Sequence, residues 1–132
     1  MSDQLLKEYV AAWLRHTMVS DTAEGRENLA AFLAFLAPDV VYEDIPSGSR
    51  HEGRDAVAAM CRSVSGMFEM KIDIASEQSD GERFAFEFEC AATLRETGVV
   101  VTFRAGAIGT FRDGKVASQR DYYDFGAFGR PE

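Results

Sequence analysis

Cysteine and histidine are scarce in this sequence, with two of each. Cys61 and Cys90 have no CxxC spacing and no nearby histidine. That argues against a disulfide framework or a thiolate metal centre, and two buried free thiols are expected. His16 and His51 lack paired acidic ligands at a metal-binding spacing, so no metal site is expected either. Positive charge is in deficit: 14 Lys and Arg stand against 22 Asp and Glu, a net charge of −8. An acidic chain repels phosphate, which argues against nucleic acid and against an anionic membrane surface as partners. No apolar run approaches the roughly 20 residues of a membrane span. Asp3, Lys7 and Glu8 interrupt any apolar core near the N-terminus, so no signal peptide is read there and a cytoplasmic location is the default expectation. Also missing are a GxSxG elbow, a phosphate-binding glycine loop and a dinucleotide fingerprint, and no cofactor is expected. There is no internal repeat and no low-complexity segment.

What is present is ordinary globular material. Hydrophobic residues make up 46% and charged residues 27% of the chain, a balance that argues against disorder. A chain of 132 residues fits one domain over its whole length and can bury roughly 65–70% of its unfolded surface. Leu6, Tyr9, Val10, Trp13, Leu14 and Thr17 recur at three- and four-residue spacings, which predicts a helix from about Asp3 to Met18 capped by Ser2 or Asp3. The polar stretch from Ser20 to Gly25 reads as a loop. Leu29, Phe32, Leu33 and Leu36 predict a second helix that Pro38 stops. Val40 to Asp44 reads as a short strand, broken into a loop at Pro46, Ser47 and Gly48. Gly53 and Asp55 open a third helix with Val57, Met60, Cys61 and Val64 on its buried face.

From Gly66 onward the hydrophobic period changes from 3.6 to 2. Phe68, Met70, Ile72 and Ile74 alternate with polar residues, and Ser79-Asp80-Gly81 supplies a turn. Phe84, Phe86, Phe88, Cys90, Ala92 and Leu94 then share one face of a strand whose other face carries Glu87, Glu89 and Arg95. Thr97-Gly98 turns the chain into a strand from Val99 to Phe111. Asp113-Gly114 is a hairpin signal, and Val116 to Asp124 is the last strand. Phe125 and Phe128 make the tail too apolar to float free, so it is expected to pack on the domain or on a partner. Helices segregated against an antiparallel sheet define an α+β domain. A curved meander around a long helix encloses a cavity, with Phe88 and Cys90, Val101 and Phe103, and Ala117, Gln119, Asp121 and Tyr123 on its inner face.

Two carboxylates stand out. Asp121 shares the inward face with Ala117 and Gln119, and a carboxylate in an apolar pocket has its charged form destabilised, which moves it toward the working range of a general acid or base. The alternative is a carboxylate paired with a neighbour or facing water at a strand end. Asp44 closes the first strand beside the break at Pro46, where a pocket rim often holds functional groups; the alternative is an Asp that caps the loop. Glu43 has the opposite parity and is expected in solvent. Tyr9, Trp13 and Tyr42 are aromatic surfaces with polar tips, able to hydrogen-bond a ligand oxygen or to sit in the core with one satisfied polar atom. His51 reads as a solvated loop residue. Thr102 and Arg104 face outward beside Glu87 and Glu89, which suggests cross-strand ion pairs and a face that could carry a dimer interface.

The string Tyr42-Glu43-Asp44-Ile45-Pro46, the helix start Glu52-Gly53-Arg54-Asp55-Ala56-Val57, and the ending from Asp113-Gly114-Lys115-Val116 through Arg120-Asp121-Tyr122-Tyr123-Asp124 resemble, in this order, the SnoaL-like branch of the nuclear transport factor 2-like superfamily. The resemblance spans nearly the whole chain. It implies a cone-shaped, cystatin-like fold in which a curved sheet wraps a long N-terminal helix, and a homodimer. Its members include polyketide cyclases, ketosteroid isomerase, limonene-epoxide hydrolase, scytalone dehydratase and non-catalytic binding domains. Asp121 matches the acid/base aspartate of the cyclases and one catalytic aspartate of the epoxide hydrolase, where Tyr42 matches a water-holding tyrosine and Asp44 stands in place of an asparagine. That hydrolase's arginine and second aspartate fall on Phe88 and Cys90. Tyr9 matches the oxyanion-hole tyrosine of the isomerase and Asp44 its general base, while the isomerase's protonated aspartic acid falls near Ala107.

The resemblance thus implies a cofactor-free cyclase or isomerase acting on a small hydrophobic carbonyl or hydroxyl compound. Asp121 and Asp44 would carry its proton transfer. Tyr9, Trp13, Tyr42, Phe88, Cys90, Phe103, Gln119 and Tyr123 would surround the substrate. The competing readings are a non-catalytic module binding a hydrophobic ligand and a dimerisation domain whose pocket is filled by its own side chains.

Overall fold

The structure, a computed structural model, describes residues 2–18, 22–124 and 126. Helix α1 covers Ser2–Met18 and α2 Ala23–Leu33; strand β1 covers Leu36–Asp44 and β2 Ser49–Glu52; helix α3 covers Arg54–Met67; and strands β3 to β6 cover Phe68–Ser79, Arg83–Leu94, Val100–Arg112 and Lys115–Tyr123. All six strands form one sheet in the order β2-β1-β6-β5-β4-β3. Every ladder is antiparallel except β1–β6, which is parallel. The product is an α+β fold in which a curved, open sheet wraps α1.

The core explains the wrapping. The apolar stripe of α1 lies against the aromatic face of β4: the Tyr9 ring meets Phe84 edge-on at 5.7 Å, and the Trp13 ring lies 5.1 Å from Phe86 and 4.8 Å from Phe88. Such tilted and edge-on pairs suit the ring quadrupole. Phe84, Phe86, Phe88, Cys90 and Ala92 are all buried, while Glu87 and Glu89 are exposed. On the outer face Arg104 pairs with Glu89 at 3.1 Å, directly across the β4–β5 ladder. The β5–β6 hairpin closes with both Asp113 (φ 53°) and Gly114 (φ 75°) in left-handed backbone, the geometry that matches the twist of the strands it joins.

Several boundaries differ from the sequence expectation. The second helix begins at Ala23, inside the stretch read as a loop, because the Thr22 hydroxyl accepts the Gly25 N–H at 2.9 Å and caps it. It ends at Leu33, so Leu36 and Pro38 belong to β1. Proline is tolerated there because the β1–β6 register shifts between Leu36 and Val41, and no ladder bond is demanded of its missing N–H. The segment Ser49–Glu52, read as part of a loop, is strand β2, antiparallel to β1 with Tyr42 opposite His51. The capping side chains of Ser2 and Asp3 and the tail residues Phe125 and Phe128 lie outside what the structure describes.

Candidate functional site

Asp44 and Asp121 are direct partners across the parallel β1–β6 ladder. Adjacent strands in register put both side chains on one face, so the two carboxylates stand side by side. Both line a cavity of about 540 Å³, within the range of small-molecule sites. Its floor and near wall include Trp13, Tyr42, Phe88, Cys90, Phe103 and Tyr123. The wall continues through α3 and β3, with Met60, Cys61, Val64, Phe68, Met70 and Ile72, the last being the ladder partner of Cys90. Among the described residues no Lys or Arg lines it, and no group of His, Cys, Asp or Glu has a metal-binding arrangement.

Each carboxylate has a phenol. The Tyr42 hydroxyl donates to Asp121 Oδ2 at 2.6 Å, and the Tyr123 hydroxyl donates to Asp44 Oδ2 at 2.9 Å. Asp44 also accepts the Ser47 backbone N–H on Oδ1 at 3.2 Å. It therefore caps the β1–β2 turn while lining the cavity beside Asp121.

Behind Asp121 lies a polar cluster inside an apolar core. Gln119 is 0% exposed. Its Nε2 donates to Asp121 Oδ1 at 2.8 Å and to the Tyr42 hydroxyl at 3.0 Å, and its Oε1 accepts the Tyr9 hydroxyl at 2.5 Å. Trp13 Nε1 donates to Tyr42 at 3.3 Å. Burial raises Asp121 from the ordinary carboxylate range to about 6; the hydrogen bonds from Gln119 and Tyr42 oppose the rise and the charge of Asp44 adds to it. Asp121 retains some accessible surface, and that surface opens on the cavity. The Tyr9 and Tyr42 hydroxyls are pushed well above their usual range, first by burial and then by the Asp121 charge.

Of the residues singled out in the sequence, Asp44, Asp121, Trp13, Tyr42, Phe88, Cys90, Phe103 and Tyr123 meet at the cavity. Tyr9 and Gln119 do not line it. Tyr9 is 0% exposed among Phe32, Phe35 and Phe84, and its hydroxyl is turned onto Gln119. Sequence reasoning missed the α3–β3 wall, because helix periodicity marks a buried face without saying whether protein or empty space lies beyond. It also read His51 as solvated, whereas β2 brings it to the cavity opposite Tyr42. His16, dismissed as a metal ligand, lines the cavity from α1, 8% exposed and stacked on Phe32 at 4.1 Å. Burial lowers its imidazole to about 3.

A helix-wrapped curved sheet with a cavity between them is the nuclear transport factor 2-like, ketosteroid isomerase-like fold, and solved structures of that class superpose on it. A candidate polyketide cyclase of Pseudomonas putida is 26% identical with a TM-score of 0.76, covering 97% of this chain and 95% of its own. A candidate polyketide cyclase of Xanthomonas campestris is 23% identical with a TM-score of 0.79, covering 97% and 96%. An epoxide hydrolase of Mycobacterium tuberculosis is 24% identical with a TM-score of 0.72, covering 92% and 84%. The family is fixed by sequence: the SnoaL-like domain matches residues 7–119, and the chain belongs to that family. No curated protein matches the chain significantly in sequence.

Proposed function

We propose that this SnoaL-like protein, a single domain over residues 1–132, is a cofactor-free cyclase or isomerase of the cytoplasm. It moves a proton on a small hydrophobic carbonyl or hydroxyl compound. Asp121 is the general acid/base and Asp44 the second carboxylate. The observation that carries the reading is the position of Asp121: a carboxyl group at about 6, on the wall of an apolar cavity, with its partner carboxylate in the next strand. A group titrating near working pH is the efficient proton shuttle, and one such group contributes typically 10²- to 10⁴-fold. Trp13, Phe88, Phe103 and Tyr123 offer ring surface to the substrate body, and the Tyr42 and Tyr123 hydroxyls stand where a substrate oxygen would approach the carboxylates. Phe88 and Cys90, apolar wall residues, leave no arginine between two aspartates, which favours proton transfer over epoxide hydrolysis.

The test is Asp121→Asn. Turnover of a responsive substrate should fall by at least about 10², while the melting temperature stays near that of the wild type. Retained turnover would remove Asp121 from the mechanism. The second reading, a non-catalytic binding module, is favoured by one feature: most of the cavity wall is aliphatic, aromatic or sulfur-bearing. It predicts saturable binding of an apolar molecule that returns chemically unchanged. The filled pocket that a purely structural dimerisation domain requires does not agree with a cavity of about 540 Å³.

A further inference from the structure

The hydrogen bonds behind Asp121 run in one direction, and Tyr9 starts the run. A side-chain amide has an accepting end and a donating end, and a buried amide faces whichever way its neighbours allow. Gln119 turns its NH₂ toward Asp121 and Tyr42 and its carbonyl toward Tyr9. The reverse orientation is open at the Asp121 end only once Asp121 is protonated, and it gives up one contact there. A protonated Asp121 would donate to the amide carbonyl, Tyr42 would donate to it as well and release Asp121 Oδ2, and Tyr42 would still accept from Trp13, whose indole N–H can only donate. The reverse arrangement fails at Tyr9. There the amide NH₂ would donate to the phenol oxygen, and the phenol's own hydrogen would have no acceptor. Tyr9 is fully buried among Phe32, Phe35 and Phe84, and Gln119 is its one hydrogen-bond partner among the described residues. A buried donor left unpaired loses its full hydration.

We infer that Tyr9 is a positioning residue for the carboxylate: by donating to Gln119 it fixes the amide with its NH₂ toward Asp121, and so holds Asp121 as a hydrogen-bond acceptor ready to take a proton. The role goes beyond a core aromatic and differs from contact with the ligand, since Tyr9 does not reach the cavity. Removing only the hydroxyl takes away the Tyr9 constraint, and the amide can turn when Asp121 is protonated. The orientation that welcomes a protonated Asp121 then becomes accessible, and the proton affinity of Asp121 rises.

The charged and titratable groups facing Asp121 are Asp44 and Tyr42 on β1, Tyr9 on α1, Cys61 on α3 and Tyr123 on β6, and the cavity it lines is shared with His16 on α1, His51 on β2 and Cys90 on β4. Tyr9→Phe leaves every other one of them in place. The experiment labels the aspartates with ¹³C and follows the Asp121 carboxyl carbon against pH in the resting protein, with the resonance assigned through Asp121→Asn. Tyr9→Phe should raise the Asp121 midpoint by about one unit, a tenfold gain in proton affinity. A core loosened by the lost hydroxyl would admit water and lower the midpoint, so the direction separates positioning from mere packing. An unchanged or lowered midpoint overturns the inference.

Should Tyr9→Phe fail to fold, the wild type still decides. The Tyr9 hydroxyl proton should give a downfield, slowly exchanging resonance that persists throughout the titration of Asp121. Its loss on protonation of Asp121 would mean that the amide turns over despite Tyr9, and the inference fails. Only the consequence for turnover rests on the proposed function. An inert protein with the raised midpoint would sink the catalytic reading and leave the positioning role standing, and the reverse result would do the opposite.

Discussion

Asp121 sits in surroundings that oppose its ionisation, and this has a cost in stability with a definite sign. Its folded value, about 6, lies above the ordinary 3.8. Between those values the folded chain holds more protons than the unfolded chain, so the Asp121 contribution to stability falls as pH rises through that window. The difference in unfolding free energy between wild type and Asp121→Asn should drop from pH 4 to pH 7 by up to about 3 kcal/mol; urea titrations of both proteins across that range measure it, and a flat difference would mean that Asp121 is ordinarily hydrated. His16 acts with the opposite sign. Its imidazole is lowered from 6.5 to about 3, so it supports the fold above pH 6.5 and withdraws that support as the pH falls. The thiols follow the same logic of burial: Cys61 is pushed up to about 12 and Cys90 to about 11. Neither should react with a thiol reagent at pH 8 in the folded protein, and both should do so in denaturant, which a timed absorbance assay would reveal.

At the scale of the elements, the sheet tolerates little substitution where a ring crosses a strand. Phe84 of β4 lies opposite Gly109 of β5, and a Cβ at that glycine would collide with the Phe84 ring and the Ser118 carbonyl oxygen. Gly109→Ala should cost about 1–3 kcal/mol, read from the shift in denaturation midpoint; an unaltered midpoint would mean that the Phe84 ring and the β6 backbone both give way freely. The strands around this pair were legible in the sequence because each carries period-2 alternation on a half-buried sheet, and their inner faces follow it except at the β5–β6 register shift, where Val116 and not Ala117 turns into the core. β2 was not legible. Ser49–Glu52 is four polar residues at the edge of the sheet, held by its pairing with β1 and not by any apolar pattern of its own. The extension of β1 across Pro38 was hidden for a related reason, since proline reads as a stop wherever tertiary pairing is not yet known. Asp121 could be placed near a pocket by parity, and Asp44 by its position at the strand end beside Pro46. Their direct adjacency could not, because it depends on β1 joining β6 in parallel, a long-range pairing that no local pattern encodes. The direction of Tyr9 escaped for the same reason: a helix stripe shows that it is buried, and only the partner strand shows that Gln119 receives it.

For the whole molecule, the same sheet has two faces of different character. The inner one carries the cavity. The outer one exposes Val100 and Ile108 on β5 and Tyr122 on β6, apolar surface on which a second copy of the chain could seat. We propose a homodimer through this face; sedimentation equilibrium should give twice the 14.6 kDa chain mass, and Ile108→Asp should shift it toward monomer. A monomeric wild type would leave that surface without this role. No helix among the described residues is long and apolar enough to cross a membrane, in keeping with apolar side chains gathered around the cavity.

The proton chemistry of Asp121 is tested most directly by isotope. The protein is incubated in D₂O with a panel of small apolar ketones, binding is recorded for each, and deuterium entering the carbon beside the carbonyl is read by mass spectrometry. A ketone that binds should gain deuterium faster than in buffer with the wild-type protein, and at the buffer rate with Asp121→Asn. Ketones that bind yet gain no deuterium, or an Asp121→Asn variant that exchanges as fast as the wild type, would contradict the account.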